Sequence, residues 1–382
     1  MNRRNHLASL VGIALSAGPL ALPCAAAPAR GGPAGGDGPD RTALRAAVAG
    51  LPAAHATSAA VRVGGDAVWH GSSGVRDLAT GRPALSGGRF RAGSTTKVVT
   101  SALVLRLVAD GRIDLDAPVQ EYLPGLLSPR FGPVAVRHLL TCTSGIRSAG
   151  GKPWAQEYAQ RLHTVDYREH VAAGIALGPA HEPGYAQRYS NIHYTILGML
   201  VEEVTGRPYA REAERLVLRP LGMRHTSFPG TDPEVPGPHN RGYQVVRGAD
   251  GAVEHIDVTR WNQYDRFAAG DMISTTADLE RLVRGLVRGE VVPGPQVREM
   301  FTVPEVGDPA GATMSAGLQR YESPTTGRVV WVKTGSRYGY HCALAVGEDH
   351  RRSLAYAVTS TDAKGPGMDR VGEAVLKATF GL

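Results

Sequence analysis

Two hydrophobic patterns divide the chain, one typical of strands and the other typical of helices. Short strand-like stretches occur near both ends of the chain, some apolar-polar and some mostly apolar, each bounded by turn residues. They are Thr57–Val63, Ala67–Gly71, Met314–Tyr321, Val329–Thr334, Tyr340–Val346 and Leu354–Thr359. Segments with helical spacing are Ser94–Asp110, His193–Thr205, Thr276–Arg288 and Asp369–Thr379. We therefore predict an α+β fold, in which an antiparallel sheet built from both chain ends is flanked by helices, with an inserted, mainly helical lobe beside it.

The first residues have a composition unlike the rest of the chain. Arg3 and Arg4 precede an uncharged apolar run from Leu7 to Leu22, and small residues follow that run. This order is typical of a secretory signal peptide. We therefore expect residues 1–29 to be a leader and the protein to be secreted. No other segment has the length and apolarity of a membrane span, so none is expected in the mature chain.

The remaining residues are predicted to form one domain after a short tether. The tether is assigned to residues 30–45, which begin with a run rich in Gly and Pro. The domain is assigned to residues 46–382, with a cleft between its two lobes as the expected site. The sheet lobe is predicted at about 46–97 and 266–382, and the helical lobe at about 98–265.

Charge and cysteine content exclude several classes of function. The formal net charge is +7, but the positive residues are scattered, so nucleic-acid binding is not expected. Cys142 and Cys342 are the cysteines outside the predicted leader. They could form a disulfide in an exported protein or remain as two buried free thiols, and the sequence leaves both open. No pattern of zinc ligands and no nucleotide-binding glycine motif is present, so neither a metal nor a cofactor is predicted.

Lysine is rare in this chain, which makes its positions informative. Of 42 Lys and Arg residues, five are Lys: Lys97, Lys152, Lys333, Lys364 and Lys377. A lysine can lose its proton when it is desolvated, whereas an arginine stays charged. Chance placement is the simpler interpretation for Lys152, Lys364 and Lys377. Lys97 differs because it stands three residues after Ser94, where a helix start would place both side chains on one face and let the amine activate the hydroxyl.

Two further short motifs follow Ser94 and Lys97 along the chain. Tyr189 and Asn191 precede a predicted helix, where a phenol can transfer protons and an amide can orient a lysine or bind a substrate amide. Lys333, Thr334 and Gly335 end a predicted strand, where a cation and a hydroxyl can hold a carboxylate. Gly335 would let a ligand approach the backbone. Ser336 could then direct its N–H at a developing oxyanion.

The order SxxK, YxN and KTG resembles that of the serine penicillin-recognising family, in particular class C β-lactamases and D-alanyl-D-alanine carboxypeptidases. Flanking segments resemble the family too: Phe90–Gly93, Gly111–Val119, Val136–Thr141, Pro220–Met223 and Ala268–Gly270. The resemblance covers nearly the whole chain after Thr57. It implies that Ser94 is acylated, that Lys97 and Tyr189 share the acid and base duties, and that the N–H groups of Ser94 and Ser336 form an oxyanion hole.

The resemblance also implies how a substrate would be held. Asn191 would contact a substrate amide, and Lys333 and Thr334 would bind a substrate carboxylate. Arg320 is a further candidate for the carboxylate site, because family members that read a free carboxyl end often have an arginine on the preceding strand. An intact KTG motif favours a substrate with a carboxylate, since esterases of the family often lose this motif.

Four functions fit this set of residues. The leading hypothesis is a D-alanyl-D-alanine carboxypeptidase-like enzyme that acts on cell-wall peptides and reacts with β-lactams. A class C-like β-lactamase would use the same residues and differ in how fast water removes the acyl group. An esterase or a peptidase for D-amino-acid peptides is a third interpretation. The fourth is an inactive relative that binds wall fragments without turnover.

Overall fold

The computed structural model describes residues 38–247, 252–365 and 369–382, so the predicted leader lies outside the described residues. The strands are β1 Ala56–Gly65, β2 Trp69–Gly74, β3 Phe90–Arg91, β4 Tyr243–Arg247, β5 Val253–Asp257, β6 Ile273–Ser274, β7 Gln319–Glu322, β8 Val329–Arg337, β9 Tyr340–Gly347 and β10 Arg352–Ser360. The α-helices are α1 Arg41–Val48, α2 Thr96–Ala109, α3 Val119–Tyr122, α4 Val136–Leu140, α5 Trp154–Ala159, α6 Tyr167–Ala176, α7 Asn191–Thr205, α8 Tyr209–Ala213, α9 Thr276–Val287, α10 Gly294–Val297 and α11 Arg370–Phe380.

The main sheet joins the two ends of the chain, which confirms the predicted fold class. Its strand order is β2-β1-β10-β9-β8-β7, and every neighbouring pair is antiparallel. β1 comes from the N-terminal part and pairs directly with β10 from the C-terminal part. The complete sheet therefore forms only when both ends of the chain have come together.

Two apolar cores cover the two faces of this sheet. On one face α1 and α11 pack against residues such as Val61, Val332 and Val358. On the other face α2, α9 and the helical lobe pack against residues such as Trp331 and Leu344. Each fully buried Leu or Val contributes roughly 1.5–3 kcal/mol relative to an exposed one. The second core lies under the expected cleft and fixes the position of α2.

The structure corrects two of the predicted boundaries. The domain begins earlier than residue 46, because Asp40 caps α1 and Leu44 of α1 is fully buried against the sheet. The predicted tether therefore ends before Arg41 in the structure. The predicted strand Met314–Tyr321 is shorter, because Ser315 N–H bonds back to Leu318 O and forms a turn, so that β7 starts only at Gln319.

No helix in the described ranges is both long and apolar enough to cross a membrane.

The structure decides between the disulfide and the two free thiols that the sequence left open. Cys142 and Cys342 are both buried and both free.

Candidate active site

Ser94 lies in a tight turn that runs directly into α2. The turn, Gly93–Thr95, is a 3-10 helix, and α2 continues from Thr96. The hydroxyls of Thr95 and Thr96 donate to Ala92 O and Gly93 O at 2.8 and 2.7 Å, which fixes the turn from below. The first N–H groups of such a turn have no partner within the helix and are free to face a ligand. This geometry places the Ser94 hydroxyl above a rigid, buried helix.

Two proton-bearing side chains contact the Ser94 hydroxyl. The Tyr189 hydroxyl donates a hydrogen bond to Ser94 Oγ at 2.7 Å, and Lys97 Nζ donates to the same oxygen at 3.3 Å. Tyr189 lies just before α7, whose first turn is capped by Ser190. That cap starts α7 at Asn191, two residues before the helix predicted from the sequence. The structure thus brings two motifs that are about ninety residues apart onto one hydroxyl.

Lys97 is enclosed by oxygen atoms and aromatic rings. Its ammonium donates to Asn191 Oδ1 at 2.7 Å and to Ala269 O at 2.6 Å, and its side chain is 1% exposed. Burial and the nearby Lys333 cation hold the pKa of Lys97 well below its usual range. A lysine in this environment can exist as the neutral amine that accepts a proton. The pKa of Tyr189 is shifted upward instead, because burial disfavours the charged phenolate and keeps the phenol protonated.

The segment that supplies the Ala269 carbonyl has an unusual backbone. Ala268 has a φ of 55°, which is in the left-handed region that residues other than glycine seldom adopt. Thr100 Oγ1 of α2 donates to Ala268 O at 2.6 Å and holds the turn in place. The turn thereby directs the next carbonyl at Lys97. The family resemblance points to the Ala-Ala-Gly segment but does not predict this contact.

The C-terminal part of β8 borders the other side of Ser94. Lys333 Nζ lies 4.8 Å from the centroid of the Tyr189 ring, and burial lowers the pKa of Lys333 to about 8. Its ammonium donates to Thr334 O at 3.1 Å. The Thr334 hydroxyl makes no hydrogen bond to another residue in the described part of the chain. The Lys333 cation therefore lies against the ring of the phenol that contacts Ser94.

Two glycines allow the Ser94 turn and β8 to approach each other. A Cβ on Gly335 would lie 2.0 Å from Ala92 O, and a Cβ on Gly93 would lie 2.6 Å from Ser336 N. These distances are too short for any side chain. Gly335 is thus required by packing between two parts of the protein, whereas the sequence suggested only ligand approach. The contact brings the backbone at Ser94 and the N–H of Ser336 together, as a two-donor oxyanion hole requires.

Arg320 is not brought to the nucleophile with the other predicted residues. It lies on β7 opposite Trp331, and its guanidinium donates to Glu322 Oε2 at 2.8 Å. β7 pairs with β8 only as far as Val332, before the strand reaches the site. The ion pair with Glu322 leaves Arg320 as an edge-strand cation. The structure therefore provides no contact that supports the carboxylate role suggested for it.

Two cations that sequence analysis did not select lie on the far side of Ser336. Lys364 Nζ donates to Ser336 O at 3.2 Å, although Lys364 was interpreted as chance placement. Arg337 follows Ser336 and stands over the ring of Trp261, 5.9 Å from its centroid. The rarity of lysine was the signal that could have identified Lys364. Nothing in the sequence distinguishes Arg337 from the many surface arginines.

Within the described residues, no group of three or more His, Cys, Asp or Glu side chains could hold a metal ion. The chemistry available at the site is that of a serine hydroxyl, an amine, a phenol and backbone N–H groups. Such a set suits nucleophilic attack on an acyl carbon, with proton transfer by Lys97 and Tyr189.

Comparison with curated proteins gives two informative relatives. Esterase EstB of Burkholderia gladioli is 34% identical over 207 residues, which cover 49% of this chain and 51% of EstB. Penicillin-binding protein 4* of Bacillus subtilis (strain 168) is 25% identical over 299 residues, which cover 77% of this chain and 65% of that protein. Both alignments span less than two thirds of the relative's own length.

A solved structure matches over a longer stretch. A D-stereospecific amidohydrolase from a Streptomyces species is 31% identical with a TM-score of 0.76, and the match covers 90% of this chain and 99% of that chain. A family model described as Beta-lactamase matches residues 44–378. The chain therefore belongs to the β-lactamase family of penicillin-recognising serine hydrolases.

Proposed function

We propose that this protein is a D-alanyl-D-alanine carboxypeptidase-like enzyme that cleaves short peptides through an acyl-enzyme on Ser94. The observation that supports this most directly is the position of the Lys333 ammonium, 4.8 Å from the ring of the phenol that contacts Ser94. A carboxylate held there would lie one residue beyond the scissile bond. That is where a free C-terminal carboxylate lies when the last residue of a peptide is the leaving group.

In the proposed acylation step, neutral Lys97 accepts the proton of Ser94 while Ser94 Oγ attacks the carbonyl carbon. The lowered pKa of Lys97 and the raised pKa of Tyr189 support this division of roles. The oxyanion is stabilised by the N–H groups of Ser94 and Ser336. Tyr189 then protonates the leaving nitrogen, and the proton taken up by Lys97 restores the phenol. Overall, one proton moves from Ser94 to the leaving amine.

Deacylation requires water to attack the ester of Ser94, and the same side chains would serve in reverse order. A β-lactam would acylate Ser94 in the same way, because opening the ring leaves an acyl group and a tethered leaving nitrogen. The rate of the water step then decides between a penicillin-binding peptidase and a β-lactamase. The proposed place of action is outside the cytoplasm, on wall peptides, as the leader-like sequence of residues 1–29 suggests.

The test compares two peptides that differ in one group. An acylated peptide ending in D-Ala-D-Ala and the same peptide with a C-terminal amide are incubated with the mature protein, and release of the last residue is measured. We expect the free acid to be cleaved at least about tenfold faster in kcat/KM, the size of a lost charge-assisted contact. Ser94→Ala should abolish both reactions, whereas the amide reacting as fast as the acid would contradict the proposal.

A second candidate is an amidohydrolase for D-amino-acid amides or esters. It is favoured by the 31% identity and almost complete coverage of the Streptomyces D-stereospecific amidohydrolase, and by the similarity to EstB. Its substrates would need no leaving-group carboxylate. Cleavage of a D-amino-acid amide in preference to both the L-isomer and the D-Ala-D-Ala peptide would establish this function instead.

A further inference from the structure

The alternation of β8 places a second cation on the same face as Lys333. Side chains two and four residues apart share one face of a strand. Lys333, Gly335 and Arg337 therefore face the helical lobe, as does Trp331, which belongs to the core on that side. The Ser94 turn packs at Gly335, between the two cations. If the leaving-group carboxylate is held at Lys333, as proposed above, then Arg337 is on the acyl side, roughly 7 Å along the strand from Gly335.

Arg337 is buried without a polar partner. Its exposed fraction is 4%, and its guanidinium makes no hydrogen bond or ion pair with any other residue in the ranges that the structure describes. A buried charge without a partner is costly, and a guanidinium offers five N–H donors in a fixed fork. The nearby carboxylates of Asp265 and Glu157 lie 3.2 and 3.9 Å from the guanidinium of Arg266, and they attract Arg337 only from beyond ion-pair distance.

Lys364 adds a second cation to this side of the site, and Glu157 and Asp265 attract it only from beyond ion-pair distance. Its ammonium donates to Ser336 O at 3.2 Å, which leaves two of its three N–H bonds without a described partner. No carboxylate lies within ion-pair distance of it among the described residues. Aromatic rings bound the same region, since Tyr338 lies 4.8 Å from both Trp154 and Trp261, measured between ring centroids.

We infer that Arg337 and Lys364 form an acyl-side subsite for a carboxylate carried by the acyl group of the substrate. This inference rests on the proposed acyl transfer by Ser94 and specifies which acyl groups are preferred. A planar carboxylate can accept two parallel bonds from a guanidinium, which satisfies the donors that the protein leaves unpaired. The rings of Tyr338 and Trp261 would enclose the apolar part of such an acyl chain.

The charge arrangement favours a carboxylate over an apolar acyl end. An apolar group placed against Arg337 would leave its guanidinium buried and unpaired, which costs free energy. A second cation nearby would add to the repulsion unless an anion lies between them. The preferred acyl donor therefore carries two groups. One is the carbonyl that Ser94 attacks, and the other is a carboxylate about four or five bonds from that carbonyl.

The experiment uses two esters with the same leaving group. One is p-nitrophenyl hydrogen glutarate, and the other is its neutral analogue, the p-nitrophenyl ester of glutaramic acid. Because p-nitrophenolate has no carboxylate, Lys333 does not distinguish them. We expect the wild-type protein to prefer the anionic ester by about tenfold or more in kcat/KM. Arg337→Met and Lys364→Met should each reduce that ratio, and Arg337→Lys should restore part of it.

The matched control is Lys377→Met, which removes a cation on α11 that is paired with Glu373. Its ratio should equal that of the wild type. If Arg337→Met does not fold, the exposed Lys364 still provides the test. A wild-type ratio near one, or a ratio unchanged in the variants, would overturn the subsite while the peptide comparison continues to test the proposed function separately. Failure to release nitrophenolate from either ester would contradict the acyl-enzyme and, with it, this inference.

Discussion

Two lysines lie against the same phenol ring, yet their surroundings differ. Lys97 Nζ is 5.0 Å from the centroid of the Tyr189 ring, and Lys333 Nζ is 4.8 Å from it. Lys97 is enclosed and bonded to Ser94, Asn191 and Ala269. Lys333 is half-buried at the end of a strand and bonds only to the carbonyl of Thr334 among the residues described.

The difference indicates two roles for one residue type. Burial lowers the pKa of both lysines, that of Lys97 well below its usual range and that of Lys333 to about 8. Lys97 is therefore suited to exchange a proton with Ser94 near neutral pH. Lys333 keeps most of its charge at that pH and has free donors, so it is suited to bind an anion.

The largest expected effect is that of removing Lys97. Lys97→Ala should slow acylation of Ser94 by about 10²–10⁴-fold on every substrate, because general base assistance is lost. Single-turnover acylation rates with a peptide and with a neutral ester measure this. The control is Lys152→Ala, which removes an exposed lysine bonded to Gln160. An effect confined to substrates with a carboxylate would mean that the two lysines have exchanged roles.

Gly335→Ala should separate the two halves of the site. Its new Cβ would overlap Ala92 O, so β8 and the Ser94 turn must move apart. We expect kcat to fall by about 10²-fold from the misplaced oxyanion hole, and the free energy of unfolding to fall by about 1–3 kcal/mol. Kinetics and thermal melting measure the two effects. Gly294→Ala is the control, because a Cβ there meets open space, and equal behaviour of the two variants would contradict the packing role.

Lys333→Met should discriminate between substrates. For a peptide with a free carboxyl end, kcat/KM should fall by about 10–100-fold, because a charge-assisted contact is lost. The same peptide with a C-terminal amide should be affected much less. Lys377→Met serves again as the surface control. An equal loss on acid and amide would show that Lys333 acts on the chemistry of Ser94 rather than on the carboxylate.

The smallest expected effect is a pH dependence of selectivity. Lys333 is a cation below its pKa of about 8 and neutral above it. The preference for acid over amide should therefore be constant at lower pH and decline several-fold as the pH rises through 8. Using the ratio cancels the titration of Lys97, which both substrates share. The ratio in Lys333→Met should show no such step, and a wild-type ratio that stays flat to pH 10 would contradict the assignment.

Local sequence patterns predicted the elements of the fold but not all of their limits. β8 to β10 and α9 were predictable because their apolar periodicity and turn residues agree with their final burial. The segment 314–318 was predicted as part of a strand-like run, but its backbone turns back, and Gly317, with a φ of 90°, packs close to Ser101 of α2. That constraint comes from a helix two hundred residues away and leaves no trace in the local pattern.

The residues of the candidate site also fall into those that the sequence predicts and those that it does not. Ser94, Lys97, Tyr189 and Lys333 could be predicted because their spacing and order resemble a family pattern, and the structure brings them together. Arg337 could not be predicted, because nothing in the sequence distinguishes a buried arginine from a surface arginine, whereas the rarity of lysine could have drawn attention to Lys364. Arg320 is different, since its position along the chain suggested the site, whereas in the structure it lies on the edge strand and bonds to Glu322, so its carboxylate role stays a prediction.

The most direct test of the central claim, acylation of Ser94, is intact-mass measurement of the protein during incubation with a penicillin. The wild-type protein should gain the mass of the penicillin, or release hydrolysed penicillin if water removes the acyl group quickly. Peptide mapping of the adduct should place the added mass on the segment that contains Ser94, and Ser94→Ala should show neither adduct nor hydrolysis. The same adduct on Ser94→Ala, or a wild-type protein that neither gains mass nor hydrolyses the penicillin, would contradict the account.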